Sequence, residues 1–240
     1  MPIRAILWDV DDTLFDYHRA DRAGMLGHLR AEGLAGRYAS AEEALGYWRE
    51  VTAAHWVRFS AGEIDWETQR RARVRDFTGL PELSDDGADA WYGRYLVHYE
   101  AGWSLFPDTV PVLDELAGAY RHAVLSNASL EVQDHKLRVL GVHDRFETIL
   151  CGADLGVSKP AAEAFHIACR ALGLPPGEVV YVGDEPDLDA RGATEAGLVG
   201  VWLDRRGIGG RPDLITINDL GQLPGLLRAD TRFGAPSTFG

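Results

Sequence analysis

Residues 3–13 read IRAILWDVDDT, a short apolar run that ends abruptly in acidic side chains. The apolar part, residues 3–8, is interrupted by a single arginine and predicts a buried β-strand. Asp9 and Asp11 follow directly after that strand. Open parallel α/β sheets bind their ligands at the edge formed by the carboxyl ends of their strands. The segment therefore predicts the first strand of such a sheet and a functional site just beyond it.

The same arrangement occurs twice more along the chain. Two segments predict strands that are followed by polar residues: the apolar residues 123–125, and residues 178–182, which are apolar after Glu178. These polar segments are Ser126-Asn127 and Gly183-Asp184-Glu185-Pro186-Asp187-Leu188-Asp189. Because the ends of neighbouring parallel strands meet at one edge, we expect the clusters to converge. Lys159 is expected to add a cation to them, with Pro160 in the first turn of the helix that follows.

The order of the remaining elements predicts the fold class. After Phe106, helical patterns alternate with strands, including further strands at 148–150 and 198–203, and Asp108 is expected to cap the first helix of this part. This alternation favours an α/β fold, a doubly wound parallel sheet of the Rossmann-like type. The long segment between the first strand and Phe106 has helical patterns instead, with a capping box at residues 40–43.

These patterns divide the chain into a core and an insertion. We expect an α/β catalytic core made of residues 1–16 and 104–229, and an all-helical cap domain made of residues 17–103. The natural place for this insertion is over the carboxyl edge of the sheet. Residues 230–240, where Gly, Pro, Ser and Thr predominate, are expected to form a flexible tail.

Composition excludes several classes of protein. The chain has 240 residues, 46% of them hydrophobic and 25% charged, and a formal net charge of -13. It is large enough to bury a core without disulfides, and its negative charge makes nucleic acid an unfavourable partner. Cys151 and Cys169 fit no disulfide or metal spacing and predict buried thiols in a reducing compartment. No targeting segment or membrane span is predicted, so we expect a cytoplasmic protein.

The polar residues at the strand ends define a candidate chemistry. Asp9 and Asp184 offer hard carboxylate oxygens, which suit Mg²⁺ better than zinc. A carboxylate can also attack phosphorus and form an acyl phosphate. Asp11 could protonate the leaving oxygen and later deprotonate a water molecule. Ser126 and Lys159 could bind the non-bridging phosphoryl oxygens.

The four motifs in this order resemble the haloacid dehalogenase superfamily, in its phosphatase branch with a helical cap. Asp9-x-Asp11-x-Thr13 matches the first motif and Ser126-Asn127 the second. Lys159-Pro160 matches the third, and Gly183-Asp184 with Asp189 matches the fourth. The resemblance runs from about residue 3 to residue 203, and residues 214–227 are expected to complete it.

The resemblance implies a role for each matching residue. Asp9 would be the nucleophile and a Mg²⁺ ligand, and Asp11 the general acid/base, with its backbone carbonyl on the metal. Lys159 would bind the phosphoryl group and keep Asp9 ionised. Ser126, Asn127 and Thr13 would bind substrate, and Thr13 would also hold the loop geometry. Asp184 would be a further metal ligand. Asp189, alone or with Asp187, would support the metal site. The substrate would be a small phosphorylated metabolite, while its identity and the oligomeric state are not predicted.

Three alternatives are weighed against a phosphatase. A 2-haloacid dehalogenase needs no acid for a departing halide and lacks the second aspartate, so Asp11 favours phosphate ester hydrolysis. A signalling receiver domain places its phosphorylated aspartate at a later strand and has no helical insertion of this size. A non-catalytic binding protein is disfavoured because the motif set is intact.

The predicted cap carries two further features. Its many aromatic residues are expected to pack between the cap helices. Residues 69–75 read QRRARVR, and its four arginines are expected to form a solvated face rather than an anion-binding site.

Overall fold

The computed structural model describes residues 2–33 and 35–229. The chain divides into two compact units. Tyr17–Ser104 forms a helical unit, and the described residues before and after it, up to Asp16 and from Leu105, form a core unit. The predicted tail at 230–240 lies outside the described residues. In the part of the chain that the structure describes, no helix is both long and apolar enough to cross a membrane.

The helical unit contains four long helices. They are α1 (Tyr17–Ala31), α2 (Ala41–Ser60), α3 (Trp66–Thr78) and α4 (Asp85–Ala101). The capping box is confirmed, because the Ser40 hydroxyl accepts a hydrogen bond from Glu43 N at 3.0 Å and so satisfies one free N–H of the first turn of α2. α1 and α4 approach closely at Gly24, where a Cβ would lie 2.8 Å from Tyr99 Cα.

Aromatic side chains fill the interior of the helical unit, as expected. The Trp48 ring lies 5.3 Å from Phe77, 5.8 Å from Trp91 and 5.1 Å from Tyr95, measured between centroids. Such tilted and edge-to-face contacts add to the hydrophobic stabilisation of the burial itself.

The prediction of a solvated arginine face at residues 69–75 is wrong. Arg70, Arg71 and Arg75 form ion pairs with Asp85 and Asp89 of α4. Arg73 is 7% exposed, and its guanidinium lies 4.8 Å from the Trp48 ring centroid. The arginines therefore join α3 to its neighbours within the helical unit.

The core unit is built on a six-stranded parallel sheet, as predicted. Its strands are β1 (Ala5–Trp8), β2 (Arg121–Ser126), β3 (Ile149–Cys151), β4 (Val179–Gly183), β5 (Val199–Leu203) and β6 (Ile215–Ile217), in the order β3-β2-β1-β4-β5-β6. Five of these strands correspond to predicted ones, and β6 was not predicted as a strand. β1 lies between β2 and β4, so the first acidic cluster is central.

The register of the sheet brings the strand ends together. Trp8, the last residue of β1, lies opposite Val124 of β2 and Val182 of β4. The Asp9 amide still donates to the Val182 carbonyl at 2.9 Å. The residue that follows β1 is therefore adjacent to the ends of both neighbouring strands.

Helices flank this sheet. They are α5 (Thr109–Leu116), α6 (Leu130–Val139), α7 (Gly152–Leu155), α8 (Ala162–Leu172), α9 (Gly192–Glu195) and α10 (Leu223–Ala229). On one face, Leu7 and Tyr181 share a hydrophobic cluster with Phe165 of α8. Successive strand residues point to opposite faces, and Ile6 and Trp8 are as fully buried as Leu7. Both faces are therefore covered, which confirms the doubly wound architecture.

Of two local predictions about helix starts in the core unit, one is wrong and the other is correct in position only. α8 begins at Ala162, two residues after Pro160, because residues 159–161 form turns before it. Asp108 occupies the N-cap position of α5, as predicted, but its side chain makes no capping hydrogen bond. Its carboxylate instead accepts hydrogen bonds from Arg205 and from Leu220 N.

Candidate active site

A tight turn follows β1 and carries the first motif. The amides of Thr13, Leu14 and Phe15 all donate to the Val10 carbonyl, at 3.3, 3.0 and 3.0 Å. Asp12 takes a left-handed backbone conformation, with φ 57°, which Asp tolerates better than most residues. The turn therefore reverses the chain directly after Asp9 and Asp11.

Two side chains from other parts of the core unit hold this turn. The Thr109 hydroxyl donates to the Leu14 carbonyl at 2.8 Å, and the Arg205 guanidinium donates to the Thr13 carbonyl at 2.8 Å. The Thr13 side chain is fully buried, and its hydroxyl has no hydrogen-bond partner among the described residues. The Thr13 carbonyl accepts one of the bonds that hold the turn, while its role in the loop and its contact with substrate remain predictions.

Lys159 lies at the centre of the site. Its Nζ donates to Asp9 Oδ1 at 2.7 Å, to Asp189 Oδ1 at 2.7 Å and to the Tyr181 hydroxyl at 2.6 Å. The Lys159 side chain is only 4% exposed. Burial alone would lower its pKa, but the charges of Asp189 and Asp9 outweigh that effect and raise the pKa above its usual value. The structure thus brings the predicted nucleophile and the predicted lysine into direct contact.

Asn127 places the backbone of Lys159. Its side-chain Nδ2 donates to the Lys159 carbonyl at 3.0 Å, and its Oδ1 accepts from the Lys159 amide at 2.8 Å. This pair of bonds joins the end of β2 to the loop before α8. The predicted contact of Asn127 with substrate remains a prediction, while its bonds to Lys159 explain why an amide follows this strand.

Three carboxylates form an acidic cluster around the end of β4. Asp9, Asp184 and Asp189 each offer an oxygen within 4.8 Å of the others. Burial is the largest cause that raises the pKa of Asp9, to about 7, and that of Asp184, to about 9. Neighbouring carboxylates raise both further, whereas Lys159 lowers the pKa of Asp9. Oxygen ligands crowded in this way fit a hard divalent cation such as Mg²⁺, which would offset their mutual repulsion.

The structure separates Asp189 from Asp187. Asp189 is 1% exposed and accepts from Lys159 through Oδ1 and from the Glu185 amide through Oδ2. The Asp187 side chain is 64% exposed and forms ion pairs with Arg191 and Arg211. Asp189 therefore belongs to the acidic cluster, and Asp187 lies on the surface.

Asp11 is held by residues that sequence reasoning did not identify. Lys136 Nζ donates to Asp11 Oδ1 at 2.5 Å, and Gln133 Nε2 donates to Asp11 Oδ2 at 2.7 Å. Gln133 also donates to the Ser126 hydroxyl at 3.0 Å. The Asp11 side chain is thus outside the acidic cluster, and its predicted metal contact through the backbone carbonyl remains a prediction.

The missed residues had weak signals in the sequence. Tyr181 is the one aromatic hydroxyl in a strand otherwise made of valine and glycine. Gln133 and Lys136 lie three positions apart, so they face the same side of α6. Lys136 is also one of only two lysines in the chain, the other being Lys159.

A family model identifies the chain. The model for haloacid dehalogenase-like hydrolases matches residues 3–197. The chain belongs to this hydrolase family. The phosphoserine phosphatase of Thermus thermophilus is 29% identical over 229 residues, covering 85% of this chain and 89% of that protein. The glyceraldehyde 3-phosphate phosphatase of Methanopyrus kandleri is 32% identical over 207 residues, covering 85% and 84%.

Structural similarity points to the same family. A 2-haloacid dehalogenase from Pseudomonas syringae pv. Tomato matches with a TM-score of 0.68 and 26% identity, covering 94% of this chain and 98% of that one. Family membership confirms that the protein is a hydrolase, and that the haloacid dehalogenase resemblance of the motifs is correct. Because these relatives include phosphatases and a dehalogenase, the choice between the two reactions has to be argued from the site.

Proposed function

We propose that the protein is a Mg²⁺-dependent phosphomonoesterase that acts through a phosphoryl-aspartate intermediate on Asp9. The observation that carries this proposal is the bond between Asp9 and the buried Lys159 at the edge of the sheet, beside two further carboxylates. The second aspartate of the first motif, Asp11, favours an ester over a halide, because an alkoxide leaving group needs a proton and a halide does not. The phosphatase relatives support the same choice.

In the first half of the reaction, a carboxylate oxygen of Asp9 attacks phosphorus while the bond from phosphorus to the ester oxygen breaks. The attack requires ionised Asp9. Burial disfavours the ionised form, but Lys159 favours it by charge and by hydrogen bonding. Asp11, in its protonated form, donates its proton to the departing alkoxide, which leaves as the alcohol.

The second half regenerates the enzyme. Asp11, now a carboxylate, takes a proton from water as the water oxygen attacks phosphorus. The bond from phosphorus to Asp9 breaks, inorganic phosphate leaves, and Asp9 returns to its carboxylate form. The same residue thus acts first as acid and then as base, which balances protons over the cycle.

Asp9 and Asp184 would hold the magnesium ion, with Asp189 in support and the Asp11 backbone carbonyl as a further ligand. When bound, Mg²⁺ supplies positive charge that offsets the charge of the phosphoryl group and of the carboxylates. Ser126 would bind a phosphoryl oxygen. The three protons of Lys159 are all donated to Asp9, Asp189 and Tyr181, so a contact between Lys159 and phosphate requires one of these bonds to be exchanged.

The proposed substrate is a small phosphorylated metabolite. The names of the two phosphatase relatives refer to phosphoserine and glyceraldehyde 3-phosphate, both small phosphomonoesters. The net charge of -13 argues against a polyanionic polymer.

The test is phosphate release from a panel of small phosphomonoesters. We expect hydrolysis with Mg²⁺, loss of hydrolysis with EDTA and its return on adding excess Mg²⁺. Asp9→Asn should fold, bind Mg²⁺ more weakly and release no phosphate. Turnover by that variant would contradict the nucleophile assignment, and turnover that persists under chelation would contradict the metal dependence.

The dehalogenase alternative is tested in parallel, because one similar structure is a 2-haloacid dehalogenase. Halide release from 2-chloropropionate is measured with the same protein preparation. We expect none. Halide release without phosphate release from any ester would replace the proposed function with dehalogenation.

A further inference from the structure

The two lysines of the chain are both buried, and each is paired with an aspartate. Basic side chains number 24, of which only Lys136 and Lys159 are lysines. Their side chains are 2% and 4% exposed, and each Nζ donates to one aspartate of the first motif. Lys159 donates to Asp9, and Lys136 donates to Asp11. Lys159 matches the third motif of the family, whereas Lys136 lies outside all four motifs.

The contacts of the Lys136 ammonium are with the turn that carries Asp11. Among residues 2–33 and 35–229, the only acidic side chain in an ion pair with it is Asp11. Its Nζ also lies 4.4 Å from the centroid of the Phe15 ring, which belongs to the same turn as Asp11. A buried ammonium is costly unless it is paired, so this geometry directs the lysine toward one carboxylate.

Gln133 binds the second carboxylate oxygen of Asp11. It lies one turn before Lys136 on the same side of α6 and is fully buried. Lys136 donates to Oδ1 and Gln133 donates to Oδ2, so both oxygens of Asp11 accept a hydrogen bond from one rigid helix. The Asp11 side chain is nevertheless 33% exposed. It is therefore fixed in orientation and still accessible.

We propose that Lys136 and Gln133 are positioning residues that fix the carboxyl group of Asp11 for proton transfer. The inference rests on the proposed function, in which Asp11 is the general acid/base. Proton transfer requires the acid to lie within hydrogen-bond reach of the departing oxygen, and small misplacements are costly to the rate. Asp11 lies in a short turn rather than in a strand or helix, so its side chain needs support from a regular element. α6 supplies that support at both oxygens.

A comparison of leaving groups tests this role. The p-nitrophenolate leaving group needs little protonation, whereas an alkoxide needs it strongly, so only alkyl phosphates depend on a well-placed acid. We expect Lys136→Met to lower kcat/KM at least tenfold for an alkyl phosphate and less than threefold for p-nitrophenyl phosphate. The ratio kcat/KM is used because it reports phosphoryl transfer to Asp9 and not the later hydrolysis. An equal loss on both substrates would overturn the positioning role.

Arg138→Met is the matched control. Arg138 lies two residues further along α6, is 56% exposed and pairs with Asp134 instead of Asp11. Its removal takes a cation from the same helix, so we expect kcat/KM to be unchanged on both substrates. A leaving-group effect in this variant would attribute the result to helix charge and overturn the inference.

A double-mutant cycle separates positioning from direct contact with substrate. In an Asp11→Asn background, Lys136→Met should cause no further loss on the alkyl phosphate, because the group that it positions is gone. Losses that multiply would place Lys136 on the phosphoryl group itself and overturn the inference. If Lys136→Met does not fold, as judged by circular dichroism, Gln133→Met tests the same carboxyl group from its other oxygen. Because Gln133 also donates to Ser126, losses are expected on both substrates, and the positioning role requires a larger loss on the alkyl phosphate than on p-nitrophenyl phosphate.

Failure of the inference is distinguishable from failure of the proposed function. A wild-type protein that hydrolyses neither ester would overturn the phosphatase proposal and the role of Lys136 with it. An active wild type whose Lys136→Met and Gln133→Met variants show no leaving-group dependence would overturn the positioning role alone.

Discussion

Tyr181 and Lys159 are joined by a hydrogen bond of 2.6 Å from the lysine Nζ to the tyrosine hydroxyl. The hydroxyl in turn donates to the Leu125 carbonyl at 2.8 Å. The other two protons of the ammonium are donated to Asp9 and Asp189. Tyr181 therefore anchors the lysine to the backbone of β2, and the sheet itself determines where the charge beside Asp9 lies.

Removing this hydroxyl tests the anchor. In Tyr181→Phe, Lys159 loses one of its three acceptors and can reorient away from Asp9. A lost hydrogen bond of about 1 kcal/mol corresponds to roughly a fivefold rate effect, so we expect kcat to fall by about five- to tenfold. Phosphate release under saturating substrate measures it. Tyr38→Phe is the control, because that hydroxyl binds the Phe77 carbonyl within the helical unit and should leave kcat unchanged.

Gly183 allows Asp189 to approach the end of β4. A Cβ at this position would lie 2.3 Å from Asp189 Oδ2, closer than any real contact. Gly183→Ala should therefore displace Asp189 from Lys159 and lower the melting temperature by several degrees, about 2–4 °C for each kcal/mol lost. Activity should fall with it.

The control for this substitution is Gly93→Ala in α4, where a Cβ would meet nothing within 4 Å. Alanine in a helix interior should be neutral or stabilise by up to about 1 kcal/mol. Thermal unfolding followed by circular dichroism compares the two variants. Equal melting temperatures for Gly183→Ala and the wild type would show that Asp189 can be accommodated elsewhere.

The parts of the fold that the sequence could predict depend on local pattern. The strand predicted at 178–182 corresponds to β4 (Val179–Gly183), displaced by one residue. The capping box at Ser40 and Glu43 formed because its two partners are three residues apart and need no tertiary context. The motif residues Asp9 and Asp184 lie close together because parallel strands bring their carboxyl ends to one edge.

The missed parts depend on partners that are distant in the chain. Lys136 is 125 residues from Asp11, and on its own helix it resembles an ordinary solvated lysine. Asp108 has the sequence context of a helix cap, but Arg205, 97 residues away, binds its carboxylate. β6 has only three residues, too few for a clear alternation. At Lys136 and Asp108 a contact with a residue distant in the chain determines the outcome, and at β6 the strand is too short to show a pattern.

The acidic cluster should make the metal-free protein less stable at high pH. The folded-state pKa values of Asp9 and Asp184, about 7 and about 9, lie above the value near 4 of an unfolded chain. Between these values the folded state holds protons that the unfolded state has lost, so stability falls as pH rises. Burial lowers the pKa values of His28 and His122 to about 4. These histidines therefore make stability rise with pH, but only below about pH 7, where an unfolded chain would protonate them.

The window from pH 7 to pH 9 therefore excludes the histidines, and Asp184→Asn separates the carboxylate contribution from that of the buried Cys151 and Cys169, whose pKa values burial raises to about 12 and about 11. With EDTA present, we expect the free energy of unfolding in urea to fall by about 1–2 kcal/mol across this window. Asp184→Asn should flatten the dependence, because the amide does not titrate. With Mg²⁺ present the wild-type protein should regain stability, more at pH 9 than at pH 7, since the ion competes with protons. Identical EDTA profiles for the wild type and Asp184→Asn would refute the assignment of Asp184.

Arg205 and Asp108 form a largely buried ion pair that supports the turn after β1. The guanidinium donates to both Asp108 oxygens, at 2.9 and 3.0 Å, and to the Thr13 carbonyl at 2.8 Å. Their side chains are 16% and 13% exposed. Arg205→Met leaves the carboxylate without its cation, which we expect to cost about 3 kcal/mol of stability. Urea unfolding at pH 7.5 measures this loss.

The double variant Asp108→Asn with Arg205→Met distinguishes a pair from two independent contributions. Removing both charges should restore part of the stability that Arg205→Met loses, because the remaining cost is that of an unpaired buried carboxylate. Arg228→Met is the control, since its pair with Glu115 is well exposed, at 62% and 50%, and should change stability by less than about 0.5 kcal/mol. Strictly additive losses at Arg205 and Asp108 would mean that the turn is held by the Thr13 carbonyl bond and not by the ion pair. In that case Arg205→Met should still lower turnover at temperatures where the variant is fully folded, because the loop that carries Asp9 and Asp11 has lost a donor.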